Sequence, residues 1–448
     1  MDPLLRELAA FFNVCAYADD LLNMIEGDSR LELENLGEQA MQDWSDRVGV
    51  EVTTEKTEHY ILEREYPLER HRIKTEDGYI LTVHRIPHSP EHSPHTLHHE
   101  FLHHTTPGDN RYLPSRKPVI LLQHGFGLSS EGWVLPDREI ALAYQLADAG
   151  FDVWLGNQRG NSYSRQHTHF DTKTDNFWNF SFHEIGYYDL AAVFDYMLAK
   201  TNNTAVHYVG YSQGTTCLLV LLASRPEYRE KVKSAHLLAP VAFMKNMKVP
   251  FIQWASEKIL HYGEMLVNSL GHNGVMRFHH LPFYRTLCSW ACGEGSHLQN
   301  VCRTVFAYFG GPGMSNIKQS VLSDVCAAQP AGASIKQILH FIQVYVKGKF
   351  QQYDYGRQYN EVHYKQSTPP AYDISSITNC VHLYYGVTDH LADGEDVQRL
   401  AKRLPCAIVQ SISDDDDKWN HYDFLWSKDA KELINERIIR VVRESENK

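Results

Sequence analysis

The segment Gly210-Tyr211-Ser212-Gln213-Gly214 sets one hydroxyl between two glycines. Residues 205–209 before it are apolar, and residues 215–225 after it suit a helix. Strand, sharp turn and helix in that order are the setting of a nucleophile elbow. The turn would force Ser212 into a strained backbone conformation. Glycine would be needed on both sides, because flanking side chains would collide with the neighbouring strand and helix.

An activated serine needs a base, and the base needs a carboxylate to orient it. On a sheet of this kind the chain order is serine, acid, histidine. The chain holds 26 histidines, so type alone selects none, and position must. His421 stands in Trp419-Asn420-His421-Tyr422-Asp423, after the last expected strand and before the terminal helix. Asp389 follows the strand-ending Gly386 by three residues, and Asp393 is the rival acid four residues on. Acyl transfer also needs donors for a developing oxyanion. The expected ones are the backbone N–H groups of Gln213, after the nucleophile, and Phe126, in Gln123-His124-Gly125-Phe126-Gly127.

The elements that must position these residues alternate. Residues 70–74 and 79–86 read as strands joined by Thr75-Glu76-Asp77-Gly78. Strands are then expected at 118–123, 151–155, 205–209 and 234–239, with helices at 137–149 and 184–200. This rhythm predicts an α/β fold with a mostly parallel central sheet and helices on both faces. It stops at Pro240. Strand character returns at 380–385 and 407–411, and a helix over 428–443 closes the chain. The interval carries amphipathic stretches at 251–270 and 334–346, and reads as an inserted helical cap or lid. The expected division is an acidic N-terminal extension (1–58), a core (59–240 and 371–448) and a cap (241–370).

Composition narrows the function. A net charge of −12 excludes a general nucleic-acid binder, because phosphate affinity needs clustered cations. No apolar run reaches the roughly 18 residues of a transmembrane segment. Eight cysteines in 448 residues do not make a disulfide scaffold. Cys217 reads as a buried apolar group, and Cys288, Cys292 and Cys302 lack the further ligands a metal site needs. The loop at 87–117 holds seven histidines between His88 and His104, and reads as a solvated insertion. The N-terminal region lacks the basic start of a secretory signal.

The motifs jointly resemble the acid lipases, the family of gastric and lysosomal acid lipase, over residues 66–440. The resemblance rests on Thr75-Glu76-Asp77-Gly78-Tyr79-Ile80-Leu81, Leu122-Gln123-His124-Gly125, Asp152-Val153-Trp154-Leu155-Gly156-Asn157 and Arg159-Gly160-Asn161. It continues through the elbow with its flanks, Pro330-Ala331-Gly332, Gly348-Lys349-Phe350, Asp389-His390-Leu391-Ala392-Asp393 and Asn420-His421-Tyr422-Asp423-Phe424. It implies an α/β-hydrolase fold and hydrolysis of triacylglycerols or cholesteryl esters without metal or cofactor. It gives the triad as Ser212, Asp389 and His421, and makes the cap a lipid-facing lid. It further implies a neutral lipid substrate at a lipid–water interface, transient contact with a membrane or lipid droplet, and a lysosomal or secreted location. Asn179-Phe180-Ser181 and Asn202-Asn203-Thr204 are glycosylation acceptors if the chain is secreted. A non-catalytic lipid carrier and an esterase for small soluble esters are the competing readings.

This sequence departs from the family at two places. Tyr211 stands where histidine is usual. Cys302 matches one half of the family's cap cysteine pair, but Phe309 stands at the other, so the resemblance does not carry that disulfide over. The aromatics Phe251, Trp254, Phe278, Phe283 and Trp290 read first as packing inside the cap and second as lipid contacts. The run Asp414-Asp415-Asp416-Asp417 should favour a protonated His421.

Overall fold

A computed structural model describes residues 56–92, 117–254, 256, 258 and 282–447. Most of the N-terminal extension and of the histidine-rich loop, and the cap residues 259–281, lie outside the described residues.

Nine strands form one sheet. β1 (Glu69–Lys74) and β2 (Tyr79–Ile86) are an antiparallel hairpin. Their turn closes on Thr75 Oγ1, which accepts the Tyr79 N–H at 2.9 Å, while Gly78 takes φ +99°. β2 also runs antiparallel to β4 (Asp152–Leu155). From there the sheet is parallel: β4, β3 (Val119–Gln123), β6 (Val206–Tyr211), β7 (Val232–Leu238), β8 (Val381–Gly386) and β9 (Ala407–Ile412). The sequence did not announce β5 (Gln166–His167), which pairs with the start of β2. Every residue of β3, β4 and β6 is buried, as befits strands covered on both faces.

The helices begin later than periodicity suggested. After α1 (Lys56–Glu63), α2 covers only Leu142–Asp148 of the expected 137–149. The Asp137 carbonyl accepts the N–H groups of both Ile140 and Ala141, closing a separate turn, and Ala141 is extended. In the expected helix at 184–200, Ile185–Leu190 is wound as a π-turn before α3 (Ala191–Thr201). α4 (Gln213–Ser224) is buried from Gln213 to Leu222, and Cys217 is a buried free thiol within it.

The cap interval is helical where described: α5 (Pro282–Cys292), α6 (Gln299–Gly310), α7 (Gln319–Ala328), α8 (Ile335–Lys347) and α9 (Arg357–Tyr364). Two disulfides tie it together, Cys288–Cys326 between α5 and α7 and Cys292–Cys302 between α5 and α6. Cys302 is thus paired although Phe309 stands at the family's partner position: its partner comes from the preceding helix. A third bond, Cys380–Cys406, joins the residues just before β8 and β9. The chain then forms α10 (Gly394–Ala401), which the sequence did not reveal, and ends in α11 (Glu436–Glu446). No helix among the described residues is long and apolar enough to cross a membrane.

A buried ion cluster locks the hairpin to the helical layer. The Arg159 guanidinium meets Asp77 at 2.6 Å and Asp189 at 2.7 Å and stacks over the Tyr79 ring at 3.9 Å. Burial pushes the Asp189 carboxyl up to about 6, against the pull of Arg159. Removing one partner of such a cluster leaves an uncompensated buried charge.

Candidate active site

Ser212 stands at the tip of β6 with φ +51° and ψ −118°, outside the regions ordinary residues adopt. Its amide donates to the Leu238 carbonyl at 2.9 Å, and its carbonyl accepts the Thr215 N–H at 2.9 Å and the Thr215 hydroxyl at 2.6 Å. These bonds hold the strained residue in place. A Cβ at Gly210 would come within 2.7 Å of the Tyr208 ring, and one at Gly214 would overlap the Gln123 carbonyl oxygen. Both glycines are therefore required by close approach, as the elbow pattern predicted.

Three loops at the C-terminal ends of β6, β8 and β9 bring the expected residues together. His421 Nε2 lies 2.9 Å from Ser212 Oγ, and His421 Nδ1 lies 2.8 Å from Asp389 Oδ2. The other oxygen of Asp389 accepts the N–H groups of Leu391 at 2.8 Å and Ala392 at 2.9 Å. Only one carboxylate oxygen thus faces the imidazole. Asp393 is placed elsewhere. It caps α10 through the Glu395 N–H at 2.9 Å and pairs with Lys248 at 2.7 Å.

The main chain of His421 is gripped at both ends. Its N–H donates to the carbonyl of Gly310, at the end of α6, at 3.0 Å. Its carbonyl accepts the Tyr211 hydroxyl at 3.0 Å. The residue that departs from the family pattern thus ties the elbow to the histidine loop.

Gln213 follows Ser212 directly, and Gly125, the neighbour of Phe126, approaches Ser212 closely. Gln213 is the first residue of α4, where an N–H has no partner inside the helix. The Phe126 amide donates to no backbone acceptor among the described residues. Gly125 makes this approach possible, since a Cβ there would fall 2.9 Å from Ser212 Cβ and 3.0 Å from the Tyr211 ring. His124 fixes the loop. Its Nε2 accepts the Gln158 N–H at 3.1 Å, so its Nδ1 is the protonated nitrogen and donates to the Gly125 carbonyl at 2.8 Å. Burial holds the His124 imidazole down to about 4, keeping it in this neutral form. Gly125→Ala should lower kcat/KM on an ester substrate by roughly 100-fold or more, the scale of a lost oxyanion donor. Parallel measurement of KM and kcat checks it, because the loss should fall on kcat.

A row of side-chain amides that the sequence did not disclose ties the His124-Gly125-Phe126 loop to Gln213 and α8. Gln158 donates to the His124 carbonyl at 2.8 Å, Gln213 donates to Gln158 at 2.5 Å, and Gln337 on α8 donates to Gln213 at 3.1 Å. Gln337 also accepts the Ser334 N–H at 2.8 Å, closing a capping box at the start of α8. The Ala331 amide donates to the Gly127 carbonyl at 2.6 Å, so Pro330-Ala331-Gly332 braces the Phe126 loop. The only available signal was the presence of these residues in or beside the family motifs.

The histidine loop carries a second buried acid. Asp423 Oδ2 accepts the Asn420 N–H at 2.7 Å, while Oδ1 is buried without a hydrogen bond. Burial first, then the nearby charges of Asp414, Asp389 and Asp429, push this carboxyl up to about 8. A carboxyl raised from its ordinary value of 3.8 stabilises the fold fully below that pH and loses its contribution as pH rises through 8. Asp423→Asn should therefore melt with wild type near pH 4 and above it near pH 8. Thermal denaturation across that range checks the sign. Asp414 is first a turn former: its Oδ1 accepts the N–H groups of Asp416 at 3.0 Å and Lys418 at 2.7 Å. Any test of the acidic run on His421 thus belongs to Asp415, Asp416 and Asp417.

Three of the five aromatics singled out between residues 241 and 370 are exposed rather than buried. Phe251, Trp254 and Trp290 are 57, 64 and 64% exposed. A helix interface fully covers one face only, and these residues lie off it. Phe278 and the side chain of Phe283 lie outside the described residues. Nearer the serine, the Phe126 ring meets Phe341 of α8 edge-on at 6.3 Å.

Comparison with known proteins gives one consistent result. Residues 118–259 match the model of the alpha/beta hydrolase fold, and residues 57–137 match a partial alpha/beta-hydrolase lipase region. The chain is 40% identical to Lipase 3 of Drosophila melanogaster over 85% of its own length and 91% of that protein. It is 34% identical to gastric triacylglycerol lipase of Rattus norvegicus over 83% of this chain and 88% of that one. For the Homo sapiens gastric triacylglycerol lipase the figures are 33% identity, 85% and 88%.

Proposed function

We propose that this chain, which belongs to the acid-lipase family of α/β hydrolases and is a lipase, cleaves its ester substrate through an acyl-enzyme on Ser212. The continuous chain from Ser212 Oγ through His421 to Asp389 carries this reading. Ser212 attacks the ester carbonyl as His421 Nε2 takes its proton. Asp389 holds the proton of Nδ1 and steadies the imidazolium. The N–H groups of Phe126 and Gln213 bind the oxyanion. His421 then protonates the leaving alcohol, and a water molecule, deprotonated by the same imidazole, releases the acid.

The substrates we assign are water-insoluble neutral lipids, triacylglycerols or cholesteryl esters, met at a lipid–water interface. The names of the gastric lipases support the triacylglycerol, and exposed Phe251, Trp254 and Trp290 support docking of residues 241–370 as a lipid-facing cap. A secreted or lysosomal location fits the three disulfides, which persist in oxidising compartments, and the exposed acceptors Asn179 and Asn202. A substrate panel tests the assignment. Emulsified triolein or cholesteryl oleate should be hydrolysed at a rate that rises above the substrate's solubility limit. Turnover confined to short soluble esters would overturn it.

A further inference from the structure

Four cations converge on one cavity whose lining includes none of Ser212, Asp389 and His421. The cavity holds about 620 Å³, within the usual range for a small-molecule site. Lys347 and Lys349 come from the end of α8, and Arg399 and Arg403 from α10 and the turn after it. None of the four forms an ion pair with a described carboxylate, in a chain whose net charge is −12. Both guanidinium groups lie over the single ring of Phe243, at 4.4 and 5.0 Å. Stacking on a ring contributes only about 0.5–1 kcal/mol at an exposed site, and two like charges four residues apart repel. Arg399 is also braced by the Gly348 carbonyl at 2.9 Å. Two acids are close, and each accepts hydrogen bonds from its own surroundings, although Asp396 Oδ1 is buried without a partner. Asp354 Oδ1 accepts from Gly356 and Asn360, and Asp396 Oδ2 accepts the Asn246 N–H. Pro369, Pro370 and Ile374 add apolar surface to the lining, beside the polar Gln351, Gln366 and Thr368.

Cations beside apolar surface suit an anion with a hydrocarbon body. We propose that this cavity binds an amphipathic carboxylate, of the class that ester hydrolysis releases. The choice of carboxylate rests on the lipase reading, while the cation cluster does not. A carboxylate between Arg399 and Arg403 replaces their repulsion with paired charge-assisted hydrogen bonds. The site has a physical line to the reacting centre. α8 has 13 residues, about 20 Å of helix, and its first turn carries Gln337 on Gln213 while its last residue, Lys347, lines the cavity. Fatty product held there is held away from the serine.

Calorimetry with decanoate, on protein whose serine has first been blocked with a fluorophosphonate, tests this. Blocking removes the reacting centre as a competing site, and its extent is scored separately by mass spectrometry. Decanoate should bind the blocked protein, decanol should not, and Lys349→Gln/Arg403→Gln should weaken decanoate at least tenfold. These two exposed residues are chosen because Arg399 also braces the main chain, and an unchanged melting temperature confirms that the variant folds. Equal decanoate affinity in the variant, or binding of inorganic phosphate as tightly as decanoate, would overturn the proposal. Failure of Ser212 to react with the fluorophosphonate would overturn the nucleophile assignment instead. In that case the same variant comparison is made on unblocked protein.

Discussion

Ser212→Ala should lower kcat/KM on emulsified triolein by roughly 10⁶-fold, about 8 kcal/mol of barrier. The side chain does little else that its loss would confound. Its oxygen meets His421 Nε2, and the bonds that hold the residue at φ +51° are made by its main chain. The strained conformation therefore survives the substitution, and the Phe126 and Gln213 amides remain in place. Residual turnover should be that of a site with oxyanion donors and no nucleophile. Titration of released oleate, with the melting temperature measured in parallel, separates lost chemistry from lost fold.

The second large effect distinguishes two acids four residues apart. Asp389→Asn should cost roughly 10⁴-fold in kcat. Direction of donation explains the size. The N–H groups of Leu391 and Ala392 both require an acceptor, so the amide oxygen of the asparagine must stay with them. Its NH₂ then faces His421 Nδ1 and donates where the carboxylate accepted. The imidazole proton is driven to Nε2, which can no longer take a proton from Ser212. Asp393→Asn loses a pair with the exposed Lys248 and weakens the cap of α10. It should cost about 1 kcal/mol of stability and less than about tenfold in kcat. Steady-state kinetics of both variants under one condition checks the contrast. Equal losses would mean that the placement of Asp389 does not matter.

The geometry at the serine was legible because its residues are fixed by chain order and by strand ends. A glycine on either side of Ser212, a carboxylate just past β8 and a histidine past β9 are local signals, and each follows an element that periodicity locates. What supports them was not legible. Gln337 reaches Gln213 across 124 residues of sequence, and nothing in its helix marks the face it presents. Tyr211 looked like a departure in the elbow, but its hydroxyl acts on the carbonyl of residue 421.

The cysteines show the same limit. Cys380 opens one expected strand and Cys406 immediately precedes another, so treating those strands as neighbours would have paired them. Cys288 and Cys326 meet only through the packing of α5 on α7. Hydrophobic patterning predicted helices between residues 241 and 370 but did not say which of their aromatics face solvent. Interior packing is the first expectation for Phe251 and Trp254 and lipid contact the second, and both side chains are exposed. The start of α2 was misplaced because a carbonyl–amide turn at Asp137 competes with the helix, and apolar periodicity is blind to that competition.

The rate and position of fluorophosphonate attachment test the central claim most directly, because phosphonylation requires an alkoxide-like oxygen and an oxyanion site together. Peptide mapping should place the whole adduct on Ser212 in the native chain, and His421→Ala should slow attachment by roughly 10³-fold or more. An adduct on another residue, or unchanged labelling of the His421 variant, would contradict the account.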